Sequence, residues 1–158
     1  MPQVTLREVA ETDLPEFFEF QRDPEANRMA AFTAQDPEDR AVFTAHWHRL
    51  MRAQVVTLRT VEADGEVAGN VVSFLFDGER EIGYWIGRAF WGKGIASEAL
   101  RQFLDVVPER PLHARAASDN AASLKVLGRC GFVVVGKDRG YANSRHEEIE
   151  ELILELPA

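Results

Sequence analysis

The sequence has a single cysteine, Cys130, so no disulfide bond can form within the chain. Apolar residues never run for the roughly 20 positions that a membrane-spanning helix needs. The amino-terminal residues have neither the basic segment nor the apolar segment of a secretory signal. From these absences we expect a protein that spans no membrane and works in the cytoplasm.

Basic residues are also scarce, with Lys+Arg 18 against Asp+Glu 26 and a net charge of -8. A field of this sign opposes binding to DNA or RNA and tolerates a cationic ligand. No cluster of residues has the spacing of metal ligands: His46 and His48 are two apart and point to different sides of a predicted helix. We therefore expect neither a nucleic-acid partner nor a metal ion.

The chain shows no repeat, no low-complexity tract and no linker that would divide it. With 46% hydrophobic residues, it is long enough for one sizeable core and too short for two ordinary domains. We expect residues 1–158 to form one domain, which acts as a monomer or a homodimer.

Alternation of apolar and polar residues, together with turn signals, predicts the order strand, two helices, three strands, helix, strand, helix and two strands. The first helix has Thr12 or Asp13 as its predicted N-cap, and the second covers about residues 38–52. Asp-Gly pairs at 64–65 and 77–78 suit hairpins. This order indicates an α/β (α+β) fold with a mixed, mostly antiparallel sheet of about seven strands and about four helices.

The stretch FWGKGIASEAL, residues 90–100, places two glycines and a lysine ahead of a predicted helix, which is typical of phosphate binding. A nucleoside-triphosphate loop needs a Ser or Thr after Lys93, but Gly94 stands there. A dinucleotide fingerprint needs a third glycine where Ser97 stands and an acid about twenty residues later, which the sequence does not supply.

A third interpretation fits both spacing and context. A strand ends near Gly87, a loop contains Gly92 and Gly94, and a helix begins around Ala96. Free backbone amides at a helix N-terminus can hold a pyrophosphate without a metal ion.

Two segments resemble the GCN5-related N-acetyltransferases (GNAT), in particular the branch of ribosomal-protein-alanine acetyltransferases. The first is REIGYWIGRAFWGKGIASEAL, in which Trp91, Gly94 and Ala96 occupy the positions of the family's Gln/Arg-x-x-Gly-x-Gly/Ala loop; Trp is frequent at the first position in this branch. The second is SDNAASLKVLGRCGFVVVGK, which is similar to a later Asn-x-x-Ser helix and the strand after it. The resemblance covers nearly the whole chain.

The resemblance implies a GNAT fold in which acetyl-coenzyme A lies between two central parallel strands that splay apart. Asn120 and Ser123 would contact the pantetheine arm and the sulfur, although these residue types also cap helices without any other function. The full set of cofactor-binding residues implied is Trp85, Ile86, Gly87, Trp91, Gly92, Lys93, Gly94, Ile95, Ala96, Ser97, Asn120 and Ser123.

By the same resemblance, acetyl is transferred directly to an amine, with no acyl-enzyme, so Cys130 is expected to be a packing residue. Ser123 would donate to the departing thiolate; many relatives use a tyrosine as the acid, and none follows closely here. Glu81 would help to deprotonate the amine, through water. An exposed Glu81 paired with Arg80 would look the same in sequence.

The favoured acceptor is a protein N-terminal α-amine. A small amine such as a polyamine, an amino acid or a drug is the alternative, and a coenzyme A-binding module without catalysis is a second one. In relatives the segment that corresponds to Asn27 through Phe32 lines the acceptor cleft.

Overall fold

The computed structural model describes residues 1–158, which form one seven-stranded mixed sheet in the order β1-β2-β3-β4-β5-β7-β6. The strands are β1 Val4–Arg7, β2 Thr57–Ala63, β3 Glu66–Phe76, β4 Glu79–Ile86, β5 Leu112–Ala117, β6 Val133–Ala142 and β7 Glu147–Leu156. The helices are α1 Leu14–Arg22, α2 Pro24–Ala30, α3 Arg40–Arg52, α4 Ile95–Val106 and α5 Ala121–Arg129.

Helix α2 is the element that the sequence patterns did not predict. Pro24 opens this helix, and the Asp23 side chain caps it by accepting a hydrogen bond from the Glu25 amide. A proline is tolerated in the first turn because the amide it lacks has no partner there. The molecule therefore has five α-helices where about four were expected.

The hairpins between β2, β3 and β4 follow the Asp-Gly signals. Asp64 and Gly65 have φ of 52° and 82°, and Asp77 and Gly78 have φ of 52° and 78°. Two successive positive φ angles match the twist of an antiparallel pair. The antiparallel meander is confirmed.

Strands β4 and β5 are parallel neighbours with one registered pair, Glu81 opposite His113. Beyond that pair, β4 continues to bond to β3 as far as Ile86, and β5 continues to bond to β7. The two strands diverge, so a wedge opens in the middle of the sheet on the carboxyl side of Glu81. The expected splay between two central parallel strands is present.

Helices cover both faces of the sheet. Phe103, Leu100 and Ile95 of α4 pack with Val71 and Ile82 into the larger core. A second, aromatic cluster joins α1 and α3 on the other face, where the Phe17 and Trp47 ring centroids are 4.9 Å apart. No helix in the structure has the length and apolar character that a membrane crossing needs.

The start of α1 differs from the prediction. Asp13 precedes the helix, but its carboxylate does not cap it. The carboxylate is buried and accepts hydrogen bonds from Arg7, from the Ala10 amide and from Thr60. An acid before a helix thus serves here to join β1 and β2 to the helix.

Candidate active site

The loop between β4 and α4 is held to the strand and turns through two glycines. The Trp91 indole Nε1 donates to the Ile86 carbonyl at 2.8 Å, which ties the loop to the end of β4. Gly92 and Gly94 have φ of 74° and 77°. Only glycine adopts these angles at little cost, so the backbone path requires both residues.

The backbone amides of residues 92–97 have no acceptor within the protein: the first amide of α4 that bonds backward is that of Glu98, to Gly94 O. Consecutive free amides at the positive end of a helix form an anion site. The chemistry of these donors fits a pyrophosphate.

A cavity of about 490 Å³ opens beside this loop. It lies between α2, the carboxyl end of β4, the loop, the start of α4 and helix α5. The lining residues are Ala26, Met29, Ala30, Tyr84, Trp85, Ile86, Phe90, Trp91, Gly92, Gly94, Ile95, Ala96, Ser97, Asn120, Ala122, Ser123, Lys125, Val126 and Arg129.

Two of the residues predicted to bind the cofactor are not in this lining. Gly87 is packed under α1, where an added Cβ would lie 2.6 Å from the Phe20 ring. The Lys93 ammonium is exposed and lies 6.0 Å from the centroid of the Phe90 ring. For these two residues, as for the ten that line the cavity, contact with a cofactor stays a prediction.

Asn120 joins α5 to α2. Its side-chain oxygen accepts from the Ser123 amide at 3.1 Å, and its nitrogen donates to Met29 O at 3.2 Å. Asn120 is therefore the N-cap of α5, the structural role that its residue type also allowed. Because an amide has two donor hydrogens and two acceptor lone pairs, one of each stays free to face the cavity.

Sequence reasoning missed Tyr84. Its hydroxyl lies 2.8 Å from Ser123 Oγ, and both residues line the cavity. Burial raises the pKa of Tyr84 to about 12. The sequence motif indicates a tyrosine after Asn120, whereas this one comes from β4. Its alternation with Ile82 and Ile86 is the signal that places it on the face covered by α4.

Glu81 lies at the closed end of the wedge and is only 6% exposed. Its carboxylate is 3.4 Å from Arg115 Nε, while Arg80 pairs with Glu109 at 3.2 Å. The exposed Glu81–Arg80 pair that sequence left open is therefore absent. Burial raises the pKa of Glu81, and Arg115 opposes that change in part. Glu81 does not line the cavity itself.

Other charged groups surround this position. The His113 nitrogens lie 3.1 Å from Glu79 and 3.1 Å from Glu155, and Arg115 also contacts Glu151 at 3.1 Å. The face of the sheet around the wedge is consequently rich in acids. No group of three or more His, Cys, Asp or Glu side chains in the structure could hold a metal ion.

Cys130 is half-buried at the end of α5, with its sulfur 3.8 Å from Ser97 O. Burial raises the pKa of its thiol, which disfavours the thiolate. Gly131, with φ of 96°, follows the end of the helix in the left-handed conformation that glycine favours there.

The sequence matches a family model, the acetyltransferase (GNAT) domain, over residues 3–133. The chain belongs to the GNAT family of N-acetyltransferases. Members of this family use acetyl-coenzyme A as co-substrate, and the free amides of the loop fit its pyrophosphate. The nucleotide and dinucleotide interpretations are thereby set aside.

Curated relatives of this GNAT chain include "Uncharacterized N-acetyltransferase p20" of Bacillus licheniformis, 29% identical over 109 residues, which are 66% of this chain and 61% of that protein. Another is "Putative ribosomal N-acetyltransferase YdaF" of Bacillus subtilis (strain 168), 32% identical over 135 residues, 75% of this chain and 72% of that one. The match thus spans less than two thirds of p20.

Solved structures share the fold. The ribosomal-protein-alanine N-acetyltransferase from Brucella melitensis has a TM-score of 0.81 at 19% identity, covering 98% of this chain and 99% of its own. The spermidine N-acetyltransferase from Vibrio cholerae, solved with coenzyme A and spermine, has a TM-score of 0.79 at 18% identity, covering 98% and 96%.

Proposed function

We propose that this GNAT chain transfers acetyl from acetyl-coenzyme A to a protein N-terminal α-amine, by direct attack in a ternary complex. The wedge between β4 and β5 carries the proposal, because free amides lie at its open end and the buried carboxylate of Glu81 lies at its closed end. The protein would act in the cytoplasm, as a monomer or a homodimer.

The chemistry needs a neutral amine at the thioester carbon. An α-amine has an ordinary pKa of about 8, so a useful fraction is neutral at pH 7, whereas a lysine amine near 10.4 needs more help. Glu81, with its raised pKa, is a stronger base than an exposed glutamate and would take the amine proton through water.

The relationship to YdaF supports an acceptor on a ribosomal protein, as that relative's name describes. A small amine is the second candidate, and the acid-rich face favours it when the amine is a cation. The Vibrio cholerae neighbour, which has the same fold, is a spermidine enzyme. A coenzyme A-binding module without catalysis is the third candidate.

Release of thiol from acetyl-coenzyme A tests these candidates directly. The acceptors to compare are N-terminal peptides, lysine peptides with a blocked N-terminus, polyamines and aminoglycosides. We expect release with N-terminal peptides. Release with polyamines alone would support the small-amine function, and no release with any amine, despite coenzyme A binding, would support the binding module.

The variant Glu81→Gln tests the base. We expect turnover at pH 7 to fall at least about a hundredfold and to recover in part at higher pH, because solution then supplies the neutral amine. The control is Glu109→Gln, which removes the partner of Arg80 and should leave turnover unchanged. Full activity of Glu81→Gln from about pH 6 to 9 would place the base elsewhere.

A further inference from the structure

Tyr84 and Ser123 face each other across the wedge. Tyr84 comes from β4 and Ser123 from the first turn of α5, and their oxygens are 2.8 Å apart. Neither oxygen has another hydrogen-bond partner in the protein. The pair is thus a self-contained contact at the wall of the cavity.

The chemistry of the two hydroxyls decides which one donates. A phenol is a stronger hydrogen-bond donor and a weaker acceptor than an aliphatic alcohol, because its oxygen lone pair is delocalised into the ring. The half-buried Tyr84 hydroxyl therefore donates to Ser123 Oγ. The Ser123 proton is then left free to point into the cavity, where solvent or a ligand can accept it.

We propose that Tyr84 is a positioning residue: by donating to Ser123 Oγ, it holds the Ser123 hydroxyl as a hydrogen-bond donor to the sulfur of coenzyme A. The effect on turnover rests on the proposed function. The contact between Ser123 and the sulfur does not rest on that function, because it can be measured on bound coenzyme A without any acceptor.

The acetyl-transfer step then balances without a proton from either residue. The amine nitrogen bonds to the thioester carbon, the carbon–sulfur bond breaks, and its electron pair stays on sulfur. The ammonium proton leaves to the base, and the thiolate later takes a proton from solvent. Burial raises the pKa of Tyr84 to about 12, so Tyr84 is a weaker acid than a thiol of ordinary pKa about 8.5, and the equilibrium leaves the proton on Tyr84.

The pKa of the coenzyme A thiol, measured in the bound complex, is the direct test. Thiolate absorbance in the ultraviolet is followed up to about pH 9.5, below the range in which tyrosine ionises, with the spectrum of the free protein subtracted. We expect a thiol pKa below that of free coenzyme A in the wild type, and a rise of about one unit in both Tyr84→Phe and Ser123→Ala. The double variant should match Ser123→Ala.

Tyr141→Phe is the matched control, since Tyr141 is the other tyrosine of the chain and is 57% exposed. It should leave the thiol pKa unchanged. An equal thiol pKa in wild type and Ser123→Ala would overturn the proposal, even if Tyr84→Phe failed to fold. Additive effects in the double variant would overturn it too.

Steady-state kinetics provide a second test of the Tyr84–Ser123 pair once an acceptor is known. Ser123→Ala should lower kcat about a hundredfold and Tyr84→Phe about tenfold, with little change in KM for acetyl-coenzyme A. If no amine is acetylated but the thiol pKa moves as expected, the proposed function fails and the contact stands. If amines are acetylated and the thiol pKa does not move, the proposed function stands and the proposed contact with the sulfur fails.

Discussion

The backbone angle at Gly94 bears on the proposed binding of phosphate by the loop. The φ of 77° suits glycine, and the nearest protein atom to an added Cβ would be the Met1 sulfur at 3.8 Å. The protein therefore has room for a side chain at this position. What a side chain would obstruct is the approach of a phosphate to the free amides of the loop.

We expect Gly94→Val to weaken coenzyme A binding about thirtyfold, or by about 2 kcal/mol, in calorimetry. Gly65→Val is the matched control, because Gly65 has a similar φ of 82°, has open space at its Cβ and lies in the β2–β3 turn. It should lose a similar amount of stability and keep full affinity. Unchanged affinity in a folded Gly94→Val protein would contradict the amide site.

Residue contacts within one segment could be predicted from sequence, and contacts across the sheet could not. The caps and glycines of the loop and of α5 depend on neighbours a few positions away, which a pattern records. Glu81 pairs with Arg115 rather than with adjacent Arg80, because alternation sends Arg80 to the opposite face. Tyr84 meets Ser123 only because β4 and α5 pack together.

At the scale of elements, Asp13 joins the first strand, the first helix and the second strand. Arg7 binds its two carboxylate oxygens at 2.8 Å each, and Thr60 Oγ1 donates at 2.7 Å. Burial alone would raise the pKa of Asp13, but these hydrogen bonds and that of the Ala10 amide outweigh it, so the pKa lies below the ordinary value.

We expect Asp13→Ala to lower the free energy of unfolding at pH 7 by about 2 kcal/mol, because the buried Thr60 hydroxyl loses its acceptor and Arg7, whose side chain is 37% exposed, loses its ion-pair partner. Since the folded pKa is depressed, the carboxylate stabilises the fold above about pH 4 and loses this effect as the pH falls through the folded value. Denaturant titrations of both proteins should therefore converge in acid. Asp105→Ala, at an exposed site on α4, is the control; a constant difference at all pH values would contradict the account.

Whole elements were predicted where local chemistry is unambiguous. The Asp-Gly turns fixed the meander, and alternating strands gave the sheet its seven members. Helix α2 was not predicted because a proline can either begin a helix or interrupt one. Only the Asp23 cap shows that Pro24 begins a helix here. That helix supplies Met29 and Ala30 to the cavity. Both residues belong to the segment Asn27 through Phe32 that the resemblance placed at the acceptor cleft, so the helix was missed although its position beside the site was expected.

Over the whole molecule, basic and acidic groups are concentrated in different places around the wedge. The net charge of -8 opposes an anionic ligand, yet the cavity presents the free amides of the loop together with Lys125 and Arg129. The acids gather instead around the closed end of the wedge. An anionic cofactor and a cationic acceptor would thus meet fields of opposite sign at the two ends of the wedge.

Because amides need no cation to bind phosphate, we expect coenzyme A to stabilise the whole fold equally with and without a chelator. At a ligand concentration of about 100 times Kd, linkage adds about 2.7 kcal/mol to the free energy of unfolding. For a chain of this size, that corresponds to a rise in Tm of roughly 5 to 10 °C. Thermal unfolding with and without coenzyme A, first in buffer and then in excess chelator, measures the rise in Tm under each condition. Gly94→Val is the control, and it should lose most of this rise. A rise that disappears in chelator while Gly94→Val retains it would show that a bound cation, rather than the loop amides, holds the phosphates.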